Sequence, residues 1–256
     1  PSRVFGGQVL AQALNAATRT VEKGLLAHSM HAYFLRPGDP KKKIIYEVDP
    51  IRDGKSFTTR NVIARQGGVA IFSTSISFHI EEPGLSHQFE ALEVPPPEEL
   101  ESDFDRWSRL AKEHPGTIEA PLLQPIERKP VRPRDYLNPQ PQEPQQQIWF
   151  RALGDLGDDL SRHQTILAFL SDFGLLGTAL LPHPYTGMNA DVQAASLDHA
   201  LWFHQPFKAD EYLLYCLDSP IAAGARGFSR GSFYTRDGIL VASTAQESLQ
   251  RIRTPN

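Results

Sequence analysis

The 256-residue sequence is poor in features that define several classes of protein. It contains a single cysteine, Cys216, which excludes an intramolecular disulfide framework and a cysteine zinc cluster and favours a reducing compartment rather than secretion. Its 26 Lys and Arg are outnumbered by 30 Asp and Glu, giving a formal charge of −4. Because duplex DNA binding depends on excess positive charge, we expect no nucleic-acid partner.

Long apolar runs and phosphate-binding loops are also lacking. The stretch 173–190 has no Asp, Glu, Lys or Arg, but Gly174, Pro182 and Pro184 interrupt it. A helix that crosses a bilayer needs about 20 predominantly apolar residues, so we expect no membrane span. The pair Gly6-Gly7 lacks the further glycines and the lysine of a phosphate loop.

Proline is concentrated in one part of the chain. Residues 91–147 hold 11 of the 21 prolines and a single glycine, and they end in a run of Gln and Pro. This composition favours extended backbone without a regular core. The sequence therefore predicts a domain at 1–92, a proline-rich linker at 93–146 and a second domain at 147–256.

The same order of elements occurs on both sides of this segment. A helical apolar pattern begins at Gly6, and a second helix, apolar nearly all round and therefore buried, begins after Asp158 or Asp159 and stops before Gly174. Each helix precedes a strand with two adjacent aromatic residues and a proline three positions later: Tyr33, Phe34 and Pro37 in the first half, Trp202, Phe203 and Pro206 in the second. These matches indicate an internal duplication.

Hairpin signals follow in both halves, at 66–69 and 236–239. No helical period separates the strands within 56–80 or 212–252, so a doubly wound parallel sheet is excluded. The pattern predicts an α+β protein with two units, each an antiparallel sheet wrapped around one buried helix.

Several motifs that suggest catalysis lack the context they need. The string at 227–231 (GFSRG) matches a serine-hydrolase elbow, but a hairpin follows instead of a helix, and no histidine comes after His204. His28 and His31 are three apart in a strand, which places them on opposite faces. Cys216 lies in an apolar strand, where a buried structural role is typical.

Asp172 is the least ordinary residue of the apolar helical segment. A carboxylate there must be solvated by a cleft or held by hydrogen-bond donors, because an unpaired buried charge is costly. A helix-end residue that simply reaches water is the alternative. The first helix, from Gly6 to Ala17, has no ionisable side chain. If Asp172 is catalytic, the first unit is a catalytically silent copy of the second.

Four strings resemble the type II acyl-CoA thioesterases. They are residues 5–14 (FGGQVLAQAL), 28–39 (HSMHAYFLRPGD), 196–204 (SLDHALWFH) and 230–247 (RGSFYTRDGILVASTAQE). The resemblance covers both predicted domains. It implies two tandem hot-dog domains, a first strand or turn before Phe5 that is not in this sequence, and hydrolysis of fatty acyl-CoA to free fatty acid and coenzyme A.

Matched residue by residue, the resemblance implies that Asp172, Ser196 and Gln246 activate a water molecule. Ser196 and Gln246 would hold the water while Asp172 accepts its proton. A thiolate leaving group, with a thiol pKa near about 8.5, does not require a strong general acid. Asp198 is not the catalytic carboxylate on this reading. No cofactor or metal is implied, since coenzyme A is part of the substrate.

Two rival functions stay open at this point. One is a non-catalytic acyl-CoA binding or regulatory module. The other is a hot-dog enoyl-CoA hydratase, which would need a histidine beside a carboxylate. His163 and Asp172 are too far apart for one reacting centre, at about 13.5 Å along an α-helix.

Coenzyme A carries phosphates, so a local basic patch is expected despite the net negative charge. The candidates are Arg36, residues 41–43, Arg60, Arg226 and Arg230. The resemblance further implies a homodimer or homotetramer and a peroxisomal or cytoplasmic location. The chain does not end in a Ser-Lys-Leu type address.

Overall fold

A computed structural model describes residues 3–186, 189 and 191–253. The first half contains helix α1 (Gly6–Thr18) and strands β1 (Leu26–Phe34), β2 (Ile45–Asp53), β3 (Phe57–Gln66) and β4 (Val69–His79). Between the halves lie a 3-10 turn (Pro97–Glu99), helix α2 (Asp103–Glu113) and strand β5 (Ile126–Pro130). The second half contains β6 (Gln145–Ala152), α3 (Leu160–Leu170), α4 (Leu175–Leu180), β7 (Val192–Ser196), β8 (Asp198–Phe203), β9 (Leu213–Ala223), β10 (Arg226–Tyr234) and β11 (Leu240–Ile252).

All of these strands form one antiparallel sheet in the order β2-β3-β4-β1-β8-β11-β10-β9-β6-β5, with β7 paired to β11. Counted outward from the β1–β8 junction, the order β1-β4-β3-β2 in the first half matches β8-β11-β10-β9 in the second. The aromatic strands that indicated a duplication are the two that meet, with Ser29 opposite Trp202. The predicted α+β class and paired hot-dog architecture are confirmed.

The two central helices pack against each other on the same face of this sheet. Leu10 and Leu14 of α1 and Leu167 of α3 belong to one buried cluster that runs through both halves. At Gly7 a Cβ atom would clash with the backbone carbonyl of Phe169, so this glycine permits the close approach of α1 to the end of α3. The halves therefore share a single core.

The segment between the halves is more ordered than its proline content predicts. Ser102 caps α2 by accepting a hydrogen bond from the Asp105 N–H at 3.0 Å, and this satisfies an otherwise free helix N-terminus. Trp149 of β6 donates from Nε1 to the Pro95 carbonyl at 3.0 Å, which fixes the segment to the second half of the sheet. The expectation of extended backbone is wrong for the helix α2, whereas the strand β5 is extended.

Among the described residues, no helix is long and apolar enough to cross a membrane.

The two halves of the sheet differ at their outer ends. Strand β6, which precedes α3, pairs with the outer side of β9, whereas β2 is the edge strand of the first half within the described residues.

Candidate active site

Asp172 lies in the turn that joins α3 to α4. Asp159 begins α3, as predicted, by accepting a hydrogen bond from the Ser161 N–H at 3.1 Å. The helix ends at Leu170, and Gly174 has a φ of +88°, a left-handed conformation that glycine adopts without strain. Asp172 is therefore two residues beyond the helix in which it was expected.

The carboxylate of Asp172 is held by the other half of the chain. Its Oδ2 accepts a hydrogen bond from the Gly7 N–H of α1 at 2.9 Å. A Cβ atom at Gly6 would lie 2.6 Å from the same oxygen, so the glycine leaves the space that the carboxylate occupies. Oδ1 is buried and has no hydrogen-bond partner among the described residues. One oxygen is thus fixed and the other is uncommitted.

Burial raises the pKa of Asp172 to about 7, from an ordinary value near 3.8. The Gly7 N–H, the positive charge of Arg3 and the Ser196 hydroxyl each favour the ionised form, but desolvation outweighs them. A carboxylate with a pKa near neutrality is a better proton acceptor than an ordinary aspartate and is still ionised at mildly alkaline pH.

Ser196 and Gln246 come together at a break between β7 and β8. Leu197 interrupts the two strands, and its carbonyl accepts the Phe34 N–H at 2.9 Å while its own N–H donates to Glu247. Ser196, the last residue of β7, then lies beside β11, where Gln246 Nε2 donates to Ser196 Oγ at 2.9 Å. The three residues that the resemblance identified are brought together as a group.

Asp198 has a structural position in the same break. Its Oδ1 accepts the backbone N–H of Glu247 at 2.6 Å, which closes the irregular pairing of β8 with β11. The carboxylate therefore satisfies backbone that the strand break leaves unpaired.

His199 continues the polar chain and was missed by sequence reasoning. Its Nδ1 lies 2.8 Å from Gln246 Oε1, and its Nε2 lies 2.9 Å from Ser171 Oγ. Because Oε1 can only accept, Nδ1 carries the proton, and Nε2 accepts from the serine hydroxyl. Burial lowers the pKa of His199 to about 4, so the ring is neutral above this value. The ring fixes which end of the Gln246 amide faces Ser196.

Replacing His199 by alanine should lower kcat about tenfold with little change in KM. The substitution removes the hydrogen bond from His199 Nδ1 to Gln246 Oε1, which orients the Gln246 N–H toward Ser196. His199→Asn, whose amide can donate in place of Nδ1, should recover most of the loss. Steady-state kinetics of both variants and of a double-mutant cycle with Gln246→Ala check this expectation, with strongly non-additive effects expected.

His163 provides a matched control. It is another buried histidine, hydrogen-bonded to the Gly157 carbonyl and the Ala209 N–H at 2.8 and 3.0 Å, and it lies about 12 Å before Ser171 along α3. His163→Ala should reduce stability and leave kcat per folded molecule unchanged. An equal fall of kcat in both alanine variants would contradict a positioning role for His199.

A cavity of about 800 Å³ opens beside the carboxylate and the serine. Phe5, Gly6 and Phe34 line it from the first half, and Asp172 and Ser196 line it from the second. The first half contributes no titratable group of its helix, yet it supplies one wall and the Gly7 N–H. The candidate site therefore belongs to both halves.

The other sequence motifs have structural positions. Ser229 lies within β10 and donates to the Leu175 carbonyl at 2.8 Å, so its motif is not an elbow. Burial raises the pKa of Cys216 to about 11, which leaves its thiol protonated. His28 pairs with Ser77 Oγ at 2.8 Å, while His31 packs edge-on against Trp202.

Most of the candidate basic residues are neutralised or committed. Arg60 is buried and pairs with Asp53 at 2.6 Å, Arg226 pairs with Glu247 at 2.8 Å and Arg230 pairs with Asp218 at 3.0 Å. Arg36 donates to the Ala70 carbonyl, and Lys42 pairs with Asp39 at 3.6 Å. The structure does not bring these residues together around the Asp172 cavity. Of the candidate basic residues, only Arg36 lines it.

Comparison with known proteins identifies the family of the chain. A sequence model described as acyl-CoA thioesterase matches residues 120–249, and one described as acyl-CoA thioesterase N-terminal domain matches residues 1–79. Acyl-coenzyme A thioesterase 8 of Homo sapiens is 42% identical over 98% of this chain and 81% of its own. Acyl-CoA thioesterase 2 of Haemophilus influenzae is 35% identical over 97% of this chain and 88% of its own.

Among solved structures, an acyl-CoA thioesterase II from Mycobacterium marinum has a TM-score of 0.81 and 40% identity, covering 99% of this chain and 91% of that one. Both halves of the chain, and the segment between them, are thus accounted for by relatives of one kind. The chain belongs to the type II acyl-CoA thioesterase family.

Proposed function

We propose that this protein hydrolyses fatty acyl-CoA to free fatty acid and coenzyme A, and that Asp172, Ser196 and Gln246 activate the attacking water. The observation that carries the proposal is a buried carboxylate with one free oxygen, close to a serine hydroxyl that a glutamine amide holds in place. The activity follows from membership of the family; the roles of the three residues are our proposal.

The reaction begins with a water molecule held between Ser196 Oγ and Asp172 Oδ1. Asp172 removes a proton as the water oxygen attacks the thioester carbonyl carbon, and this gives a tetrahedral oxyanion. Collapse of that intermediate breaks the carbon–sulfur bond. Coenzyme A leaves as a thiolate, which the proton held by Asp172 then neutralises, and the carboxylate is restored. No cofactor or metal ion is required in this scheme.

A second cavity suggests where the fatty acyl chain lies. Its volume is about 1210 Å³, and it shares Val4, Phe5 and Phe173 with the cavity beside Asp172. Apolar side chains of α1 and α3, such as Ala11 and Ile166, line it together with Ile44. Binding an alkyl chain there would remove apolar surface from water, which supports a fatty acyl thioester as the substrate.

The hydratase and the non-catalytic module are less well supported. His199 is the histidine nearest to the trio in the hydrogen-bond network, but both of its ring nitrogens are engaged and the residue is 1% exposed. It cannot reach a substrate. A carboxylate that lines a cavity and whose ionised form is disfavoured by burial favours a catalytic site over a module without chemistry.

The proposal is tested by release of free thiol from acyl-CoA of several chain lengths, measured with a chromogenic disulfide. We expect saturable turnover, and after rapid quenching we expect the intact protein to have the mass of the unmodified chain. Saturable binding without thiol release would establish the non-catalytic module. An acyl group found on Ser196 would replace direct water attack by nucleophilic catalysis.

Assembly and location stay predictions. The homodimer or homotetramer rests on the resemblance to the family. A peroxisomal or cytoplasmic location is consistent with the predicted substrate class. The absence of a nucleic-acid partner also stays a prediction.

A further inference from the structure

A cavity of about 360 Å³ lies next to the Asp172 cavity and has an unusual lining. Four arginines face it, and Asp103 is the one carboxylate among its described lining residues. The arginines come from α2, from β5 and from the segment after β5, which are parts of the region that its proline content marked as a linker. They are Arg106, Arg128, Arg132 and Arg134.

The positive charge of this basic cavity is only partly compensated. Asp103 pairs with Arg106 at 3.2 Å and with Arg128 at 3.3 Å. Within the part of the chain that the structure describes, Arg132 and Arg134 form no ion pair. One carboxylate therefore faces four guanidinium groups.

Two of these guanidinium groups are buried without satisfying all their donors. Arg106 and Arg134 are each 8% exposed, and the Nε atom of each is buried with no hydrogen-bond partner among the described residues. Arg134 donates only to the carbonyls of Leu180 and His183, at 3.2 and 2.7 Å. Desolvation lowers the pKa of Arg134, because burial disfavours its charged form. A bound anion would relieve this.

The basic cavity adjoins the candidate active site. The two share Phe173, Gly174 and Leu176, which follow Asp172 along the chain. The guanidinium of Arg128 lies over the Phe173 ring at 4.8 Å from its centroid, so it borders the shared wall. A ligand whose thioester lies at Asp172 can thus extend past Phe173 toward the arginines.

We propose that this basic cavity binds the phosphate groups of the coenzyme A part of the substrate. The inference rests on the proposed function, because it assigns a subsite to the same substrate. Arginine suits this ligand, since its planar fork of N–H donors matches phosphate oxygens and it stays charged at every working pH. The acyl and nucleotide ends of the substrate would then occupy different cavities on either side of the carboxylate.

The test compares a substrate that has phosphates with one that lacks them. Arg132 is the suitable residue, because it is exposed and makes no described ion pair that its removal would break. Arg132→Gln should raise KM for acyl-CoA about tenfold with kcat unchanged, since one charge-assisted contact to phosphate is lost. Arg132→Lys should fall between this variant and the wild type. The N-acetylcysteamine thioester of the same acyl group should be hydrolysed equally by all three.

Arg230→Gln is the matched control, because it removes a surface arginine that pairs with Asp218 outside the basic cavity. Adenosine 3′,5′-bisphosphate should inhibit the wild type competitively and Arg132→Gln more weakly. If inorganic phosphate changes kcat on both substrates alike, the cavity serves a free anion and the proposal is overturned. An unchanged KM for acyl-CoA in Arg132→Gln overturns it as well. Failure of the wild type to hydrolyse either thioester would instead reject the proposed function.

Discussion

Asparagine in place of Asp172 is expected to lower kcat by roughly 10² to 10⁴-fold, the usual contribution of positioned proton transfer. The side-chain oxygen of asparagine can still accept the Gly7 N–H, so the contact between the halves is preserved. Its amide cannot take a proton from water. We therefore expect normal folding and normal acyl-CoA binding with turnover nearly lost, measured by thiol release and by equilibrium binding of acyl-CoA.

Asp210 offers a close control for this variant. Its Oδ2 accepts the Leu156 N–H at 2.9 Å, and its Oδ1 is buried without a hydrogen-bond partner among the described residues, as in Asp172, although His163 Nδ1 lies 3.9 Å away. Asp210→Asn makes the same chemical change away from the candidate site and should retain wild-type kcat. Wild-type turnover in Asp172→Asn, or an equal loss in both variants, would remove Asp172 from the mechanism.

The pH dependence of kcat/KM provides the second large effect. Because the proposed base must be ionised in the free enzyme, kcat/KM should rise about tenfold per pH unit below the pKa of Asp172 and level off above it. Burial places that pKa at about 7. Neither His199, with a pKa of about 4, nor Cys216, with a pKa of about 11, titrates in this range. Thiol release measured between pH 5 and about 9 should give a single ascending limb.

The same pKa shift makes Asp172 a cost to stability at alkaline pH. The folded state raises the pKa above the unfolded value of 3.8, so the protonated form is the one that folding favours. Its contribution is complete below pH 3.8 and is lost as the pH rises to about 7. Asp172→Asn carries no ionisable group and escapes this loss, which amounts to as much as ~4 kcal/mol at 1.36 kcal/mol per pKa unit.

Urea denaturation of wild type and Asp172→Asn at acidic and alkaline pH measures this difference. The variant should be the more stable protein at pH 8, with a smaller difference near pH 4. A kcat/KM that is flat from pH 5 to 8 would show that a different group limits the reaction. Equal stability of the two proteins at every pH would show that the carboxylate is ionised without cost.

The fold was largely predictable because its two halves repeat the same local signals. The helix at Gly6, the cap at Asp159 and the hairpins near Gly67 and Gly238 all depend on neighbouring residues. The continuous sheet was not predicted, since the pairing of Ser29 with Trp202 is a contact between distant parts of the chain. The proline content of the region also concealed α2, because the prolines lie before and after this helix and none lies within it.

The candidate site was predictable only in part. Resemblance supplied Asp172, Ser196 and Gln246, and the structure brings them together. His199 escaped notice, although the alternation of β8 places it on the buried face with Leu201 and Phe203. Arg132 and Arg134 escaped because they lie in the region interpreted as a linker. Conversely, Arg60 and Arg226 satisfied the charge criterion, but sequence spacing does not show that an acidic partner already neutralises each of them.

The hydrogen bond from Gly7 to Asp172 joins residues that are 165 positions apart in one covalent chain. Its formation is therefore intramolecular, and the effective concentration of one partner near the other is set by the tether rather than by how much protein is present. If the halves were separate polypeptides, they would dissociate on dilution, and both the hydrogen bond and the wall of the cavity would be lost. Joined in tandem, they keep the reactive carboxylate oriented in every individual molecule, however scarce the enzyme becomes.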